Sequence, residues 1–176
     1  APVLTPDIEH KVMSDIMHPL LAALGRQGIT YKGIVYAGLM IQDGTPRVLE
    51  FNARFGDPET QPILFRLESD LLEVMAAVVE GRLAACSLVC DPRPAVCVVM
   101  AAGGYPGAYA KGRVISGLER AARMPDTCVF HAGTALKDGA VVTSGGRVLG
   151  VTARGTDIRD AIDRAYAAVK VISWED

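Results

Sequence analysis

Near the start of the chain, apolar positions return every four residues: Ile8, Val12, Ile16, Leu20 and Leu24, with Met13 and Met17 widening the stripe. That period predicts an amphipathic helix. Thr5 is placed to cap it, with Pro6 at its first position and Asp7 near the positive end of its dipole. Pro19 lacks an N–H, which predicts a kink or break, and Gly25 or Gly28 is a plausible stop. Residues 33–41, GIVYAGLMI, are apolar on both faces, as a buried strand should be. QDGTP supplies turn chemistry around Asp43-Gly44, and RVLEFNA reads as the returning strand of an antiparallel hairpin. Asp57 and Pro58 read as the cap and first position of another helix. A stronger helix, DLLEVMAAVVEG, starts at Ser69 or Asp70 and ends at Gly81; Glu73 would complete a capping box on Asp70.

Residues 82–94 carry two prolines and mixed polarity, and a boundary is expected there. Beyond it the pattern changes to short strands: AVCVVMAA, TCVFHAGTAL, GAVVTS and RVLGVTARG, with a glycine-rich loop, GGYPGAYAKG, after the first. Turns are expected at Lys137-Asp138-Gly139 and Ser144-Gly145-Gly146. A last helix starts near Thr156. Ile158, Ala161, Ile162, Ala165, Val169 and Ile172 line one face, while Arg159–Asp163 and Asp160–Arg164 can pair on the other. The expected fold class is α/β (α+β) in two pieces, residues 1–84 and 93–176.

Composition narrows the classes. Of 176 residues, half are hydrophobic and 22% charged, so a packed core is expected rather than disorder. A net charge of −2 gives no basic surface for nucleic acid. The longest apolar runs are too short to span a bilayer, and no signal peptide opens the sequence. The opening APVLTP, without methionine, reads like the middle of something longer. Cys86, Cys90, Cys97 and Cys128 form no CxxC; Cys97 sits in an apolar run as a small hydrophobe. Reduced thiols and no export signal point to the cytoplasm.

The candidate chemistry lies in VLEFNARFGDPETQ, residues 48–61. Alternation puts Leu49, Phe51 and Ala53 on one face and Glu50, Asn52 and Arg54 on the other. One reading is a solvated polar face. The other starts from the apolar partner strand, which places the hairpin deep in the molecule. Arg54, Asp57 and Glu59 then add charge of both signs beside a buried strand, which is costly unless something satisfies it. A divalent cation would: two oxygen donors two apart on a strand point the same way, and magnesium takes few such ligands with phosphate completing its shell. Arg54 is then suited to an anionic phosphate or carboxylate.

VLEFNARFGDPETQPIL, preceded by YKGIVYAGLMI and followed by SDL, closely resembles the glycinamide ribonucleotide synthetase (phosphoribosylamine–glycine ligase) family, which has an ATP-grasp fold. VVMAAGGYPGAY, VFHAGT and TSGGRVLGVTA look like the same family's small C-terminal domain, in the expected order. The resemblance implies the later half of an ATP-grasp domain, an antiparallel sheet with helices, followed by a small β-rich domain closed by a helix. It implies ATP-dependent joining of glycine to 5-phosphoribosylamine through glycyl phosphate, giving glycinamide ribonucleotide, ADP and phosphate in purine biosynthesis. Glu50 and Asn52 match the family's magnesium or manganese ligands. Arg54 would stabilise charge on the transferred phosphoryl group or acyl phosphate. Asp57 would orient substrate or cap the following helix.

Two departures qualify that picture. Many ATP-grasp enzymes place a further acidic metal ligand on the preceding strand, which here offers Leu39, Met40 and Ile41. The family's N-terminal portion and the first half of its ATP-grasp unit are not visible, so the expectation is a chain that is not an active ligase alone. The rivals are another ATP-grasp carboxylate–amine ligase and a non-catalytic binding module. The glycine-rich loop lacks GxGxxG and a following helix, so it reads as tight turns rather than a dinucleotide cradle. His10, His18 and His131 stand singly, as surface or structural residues.

Overall fold

A computed structural model describes residues 3–175. By Cα proximity the chain divides into two compact units, Ala1–Gly56 with Leu71–Ser87, and Asp57–Asp70 with Leu88–Asp176.

The first unit opens with α1, Pro6–Val12, capped as expected: Thr5 Oγ1 accepts from Ile8 N–H at 3.4 Å. A wide π turn follows at Met13–Met17, where His18 N–H bonds to Met13 O, before α2, His18–Arg26. The wide turn absorbs the donor that Pro19 lacks, so the helix is adjusted rather than broken. Gly28 then turns the chain with φ +74°. Strands β1, Tyr36–Gln42, and β2, Thr45–Asn52, form an antiparallel hairpin. Its turn has Asp43 at φ 50° and Gly44 at φ 71°, the left-handed pair that a two-residue hairpin needs. Lys11 Nζ donates to Gly44 O at 2.9 Å, tying α1 to the turn. Helix α4, Leu71–Glu80, and a single 3-10 turn at Leu83–Ala85 complete the unit.

Two expectations fail here. The hairpin is not buried: Met40, Val48 and Phe51 are exposed, and Leu49 is 65% exposed. Among the described residues, β1 and β2 pair only with each other, so no further strand covers them. The strict alternation also breaks. Gly38 lies opposite Glu50 but Leu39 opposite Val48, leaving Leu49 as the extra residue of a bulge. The strand ends at Asn52, so Ala53 and Arg54 lie beyond it.

In the second unit, helix α3, Thr60–Arg66, precedes β3, Ala95–Ala101. The N-cap position of α3 is Glu59, not Asp57, and no side chain caps it. Asp57 is displaced from the capping role because its carboxylate accepts from the Gln61 side chain instead of a backbone N–H. A short helix α5, Leu118–Ala122, was not expected from the sequence. TCVFHAGTAL is two strands rather than one: β4, Thr127–His131, and β5, Thr134–Lys137, split at Ala132-Gly133. Gly133 packs so close that a Cβ there would sit 2.5 Å from Gly145 Cα. Strand β6, Ala140–Thr143, pairs with β5, and their turn repeats the first hairpin's chemistry, with Asp138 at φ 50° and Gly139 at φ 78°.

Strand β7, Arg147–Arg154, runs between β3 and β4 in a three-stranded antiparallel sheet. Helix α3 packs on β3 and β7, and so does α6, Ile158–Val169. A central strand covered on both faces explains why VLGVTA carries no polar/apolar alternation. Val148, Leu149 and Val151 join Ala102, Ile115, Ala121, Ala168 and Ile172 in the core. Asp157 caps α6, accepting from Asp160 N–H at 2.9 Å. Of the expected pairs on α6, Asp160–Arg164 is present at 2.9 Å; Ile158, expected on the packed face, is exposed.

Candidate functional site

In the first unit, the end of β2 brings Glu50 and Asn52 together. They lie opposite Gly38 and Tyr36, on the same side of the ribbon, and Asn52 Nδ2 donates to Glu50 Oε1 at 3.0 Å. Gly38 makes room: a Cβ there would stand 3.0 Å from Glu50 Cγ. One carboxylate and one amide oxygen at this spacing fit a hard cation. A half-turn of the Asn52 amide puts its oxygen beside the Glu50 carboxylate, so the donor set fits magnesium or manganese. No group of three His, Cys, Asp or Glu side chains capable of holding a metal occurs among the described residues. A cation there would therefore draw its other ligands from phosphate and water. Arg54 is exposed, its Nη1 donating to Phe55 O at 3.0 Å.

Asp57 belongs to the second unit, where two elements hold it. Gln61 Nε2 on α3 donates to Asp57 Oδ1 at 3.1 Å. Arg147, the first residue of β7, donates from Nη1 to Asp57 O at 3.0 Å, and its Nη2 stands 3.6 Å from Asp57 Oδ2. Gln61 Oε1 is buried without a hydrogen-bond partner. The glycine-rich loop folds back on the turn that precedes Arg147: Ala102 N–H donates to Gly146 O at 2.8 Å, and the Tyr105 ring lies where a Gly146 Cβ would be. Sequence reasoning missed Gln61 and Arg147. The available signal was an arginine fed directly by the Ser144-Gly145-Gly146 turn.

A second cluster anchors α3. Asp91, 5% exposed, meets Arg93 at 2.6 Å and Arg154 at 3.0 Å, and Asp126 meets the same arginines at 3.1 and 3.4 Å. Hydrogen bonds from the Arg93 side chain and backbone, more than its charge, hold the Asp91 carboxyl down at about 2. The Arg154 guanidinium lies 4.5 Å from the Phe65 ring centre, and Arg66 Nε donates to Asp91 O. The four side chains come from three separate segments, 91–93, 126 and 154, which only folding brings together.

Other features stand apart. The cysteines are free thiols, and burial pushes Cys97 and Cys128 up, away from thiolate reactivity. His131 Nδ1 lies 3.1 Å from Thr134 Oγ1. A cavity of about 640 Å³ between α5 and the β5–β6 turn is lined by none of the residues expected to act. No helix among the described residues is long and apolar enough to cross a membrane.

Two family models match in order: the phosphoribosylglycinamide synthetase ATP-grasp (A) domain over residues 1–60, and the C domain of the same synthetase over residues 95–176. The chain belongs to the phosphoribosylglycinamide synthetase family. It is 54% identical over 176 residues to the phosphoribosylamine–glycine ligase of Rhodopirellula baltica, covering 99% of this chain and 40% of that protein. Against the chloroplastic phosphoribosylamine–glycine ligase of Arabidopsis thaliana, identity is 49%, covering 34% of that protein. The crystal structure of the phosphoribosylamine–glycine ligase from Thermotoga maritima superposes with a TM-score of 0.78 at 34% identity, over 99% of this chain and 43% of that one. The N5-carboxyaminoimidazole ribonucleotide synthetase structure from the same organism, at 17% identity and a TM-score of 0.61, shares the fold. This synthetase-family chain thus spans roughly two fifths of the length of the first curated relatives it matches.

Proposed function

We propose that this chain supplies the cation-holding hairpin and the C-terminal domain of an ATP-dependent ligase that joins glycine to 5-phosphoribosylamine in purine biosynthesis. The observation that carries the reading is the ordered match of both halves to one synthetase family. The junction of Glu50 and Asn52 on one side of the ribbon adds to it.

Glu50 and Asn52 would hold magnesium or manganese. When bound, the ion supplies charge neutralisation for the ATP phosphates. Arg54, exposed next to the strand end, offers a guanidinium to the transferred phosphoryl group or to the carboxylate it activates. The product of that step is glycyl phosphate and ADP; the amine of phosphoribosylamine then displaces phosphate to form the amide. Asp57 holds a carboxylate ready to orient a substrate donor group. Residues 1–84 would serve the nucleotide side and 93–176 the closing domain, with the segment Asp57–Asp70 packed in the unit of the latter. The free thiols fit a reducing setting such as the cytoplasm.

Alone, the chain is not a working ligase. Positioning chemistry needs every wall of the site at once. The exposed apolar side chains of β1, β2 and α4, among them Leu49, Phe51, Leu72 and Val79, mark the surface that the remaining N-terminal portion would cover. The test is complementation. This chain, mixed with the N-terminal portion of the Rhodopirellula baltica ligase, should release ADP only when glycine and phosphoribosylamine are both present. Glu50→Gln should lower that rate at least about a hundredfold. Release driven by bicarbonate instead of glycine would replace the ligase reading with another ATP-grasp activity. Turnover by this chain alone would overturn the claim of incompleteness.

A further inference from the structure

We propose that Arg147 is the positioning residue for Asp57, fixing its carboxylate to receive an ammonium or hydroxyl group of a substrate. The inference rests on the ligase reading, and goes beyond it by adding a residue ninety positions away. Arg147 opens β7, whose next residues, Val148 and Leu149, are fully packed in the core, so its Cα is a rigid base. Its guanidinium engages both the backbone and the side chain of one residue: Asp57 O at 3.0 Å and Asp57 Oδ2 at 3.6 Å. Gln61 takes the other carboxylate oxygen, Oδ1, at 3.1 Å. One oxygen is thus hydrogen-bonded by Gln61 and the other stands in a 3.6 Å ion pair with a guanidinium that is itself bonded to Asp57 O, which restricts rotation of the carboxylate.

Yet the Asp57 side chain remains 53% exposed. A carboxylate offers about four acceptor positions, and the Gln61 hydrogen bond with the longer Arg147 ion pair leaves room for a further donor. An exposed ion pair of this length adds little to stability, so orientation is the clearer physical consequence. Only a planar fork reaches carbonyl and carboxylate at once; a lysine delivers one point charge. The turn before Arg147 is specialised for this approach, since Gly145 packs on Gly133 and Gly146 lies under the Tyr105 ring.

The experiment has two arms. In the first, amide hydrogen exchange is followed in this chain. Arg147→Gln should speed exchange at residues 55–61 about tenfold while leaving the core amides of β7 unchanged. In the second, the complemented enzyme is assayed with Arg147→Gln, Arg147→Lys, Asp57→Asn and the Arg147→Gln/Asp57→Asn double variant. Arg147→Gln should raise the same substrate KM that Asp57→Asn raises, by about tenfold, with kcat less affected. Arg147→Lys should recover part of it, and the double variant should cost no more than Asp57→Asn alone. Unchanged exchange at residues 55–61 overturns the proposal whatever the activity. So does an additive double variant, or a loss in kcat with KM untouched. Failure of the ligase reading looks different: the wild-type complex itself releases no ADP, and the exchange arm still decides the clamp.

Discussion

Replacing Arg154 by methionine removes one guanidinium and keeps most of the apolar stem. In the native chain that guanidinium is 3.0 Å from Asp91 Oδ2, 3.4 Å from Asp126 Oδ1 and 3.3 Å from Phe65 O, and it lies 4.5 Å from the centre of the Phe65 ring. The side chain is 23% exposed, so solvent screens these contacts only in part. Hydrogen bonds to a charged partner contribute about 1.5–3 kcal/mol net, and a partly desolvated cation–π contact adds about 1 kcal/mol. Arg93 continues to neutralise Asp91 in the variant, which keeps the total to about 2–4 kcal/mol. Trp174, the only tryptophan, packs against the core of the second unit and reports its unfolding by fluorescence. With a urea slope of about 1.5 kcal/mol/M, a loss of about 3 kcal/mol moves the midpoint down by about 2 M. Arg154→Lys should recover less than half, because an ammonium neither forks nor stacks. A midpoint within about 0.3 M of wild type would show that the cluster is a solvated decoration and not an anchor for α3.

Four further outcomes are expected. The Asp91 carboxyl sits at about 2 in the folded chain against 3.8 for an unperturbed aspartate. Its folded value is the lower one, so its stabilisation is complete above about pH 4 and disappears as pH falls through about 2. Urea midpoints at pH 7, 4, 3 and 2 should therefore fall less steeply for Asp91→Asn than for wild type across that window. Gly117→Ala forces a side chain onto φ +85° and puts its Cβ 1.8 Å from Val171 O; it should cost more than about 2 kcal/mol. Gly44→Ala, at φ +71° with open space around it, should cost only about 1 kcal/mol in the same denaturation assay. Leu149→Ala, at 1% exposure in the central strand, should cost about 2.7–5 kcal/mol by calorimetry or urea unfolding.

Much of the fold was legible from local chemistry. Asp-Gly pairs marked both hairpin turns, the capping aspartate lay one residue from the expected helix start, and a continuous apolar run marked the central strand. What escaped was non-local. The bulge at Leu49 depends on how two strands pair, and a strict period of two cannot reveal it. The split between β4 and β5 depends on Gly133 meeting Gly145, twelve residues away. Asp57 read as a cap because Asp-Pro commonly opens helices; in the fold its carboxylate is claimed by Gln61 and Arg147. Glu50 and Asn52 were legible as a pair, since their neighbourhood follows from strand geometry alone.

The hairpin's failure to be buried follows from what a hydrophobic pattern records. Residues 33–41 carry apolar side chains on both faces, a pattern that fits a strand covered on two sides. Among the described residues β1 and β2 have no third strand, and Met40, Val48, Leu49 and Phe51 face solvent. On α4, Leu72, Met75 and Val79 recur at helical spacing and are also exposed. The second unit also leaves apolar side chains exposed, Leu136 at 77% and Ile158 among them, but its central strand is buried from Val148 to Ala153. The exposed apolar residues of β1 and β2 lie within the segment that matches the ATP-grasp model, and the relatives are longer than this chain. The apolar side chains exposed on β1, β2 and α4 are the surface on which the proposed complementation is predicted to depend. Charge placed there by Leu49→Lys and Leu72→Lys should abolish complementation while leaving urea unfolding monitored at Trp174 unchanged.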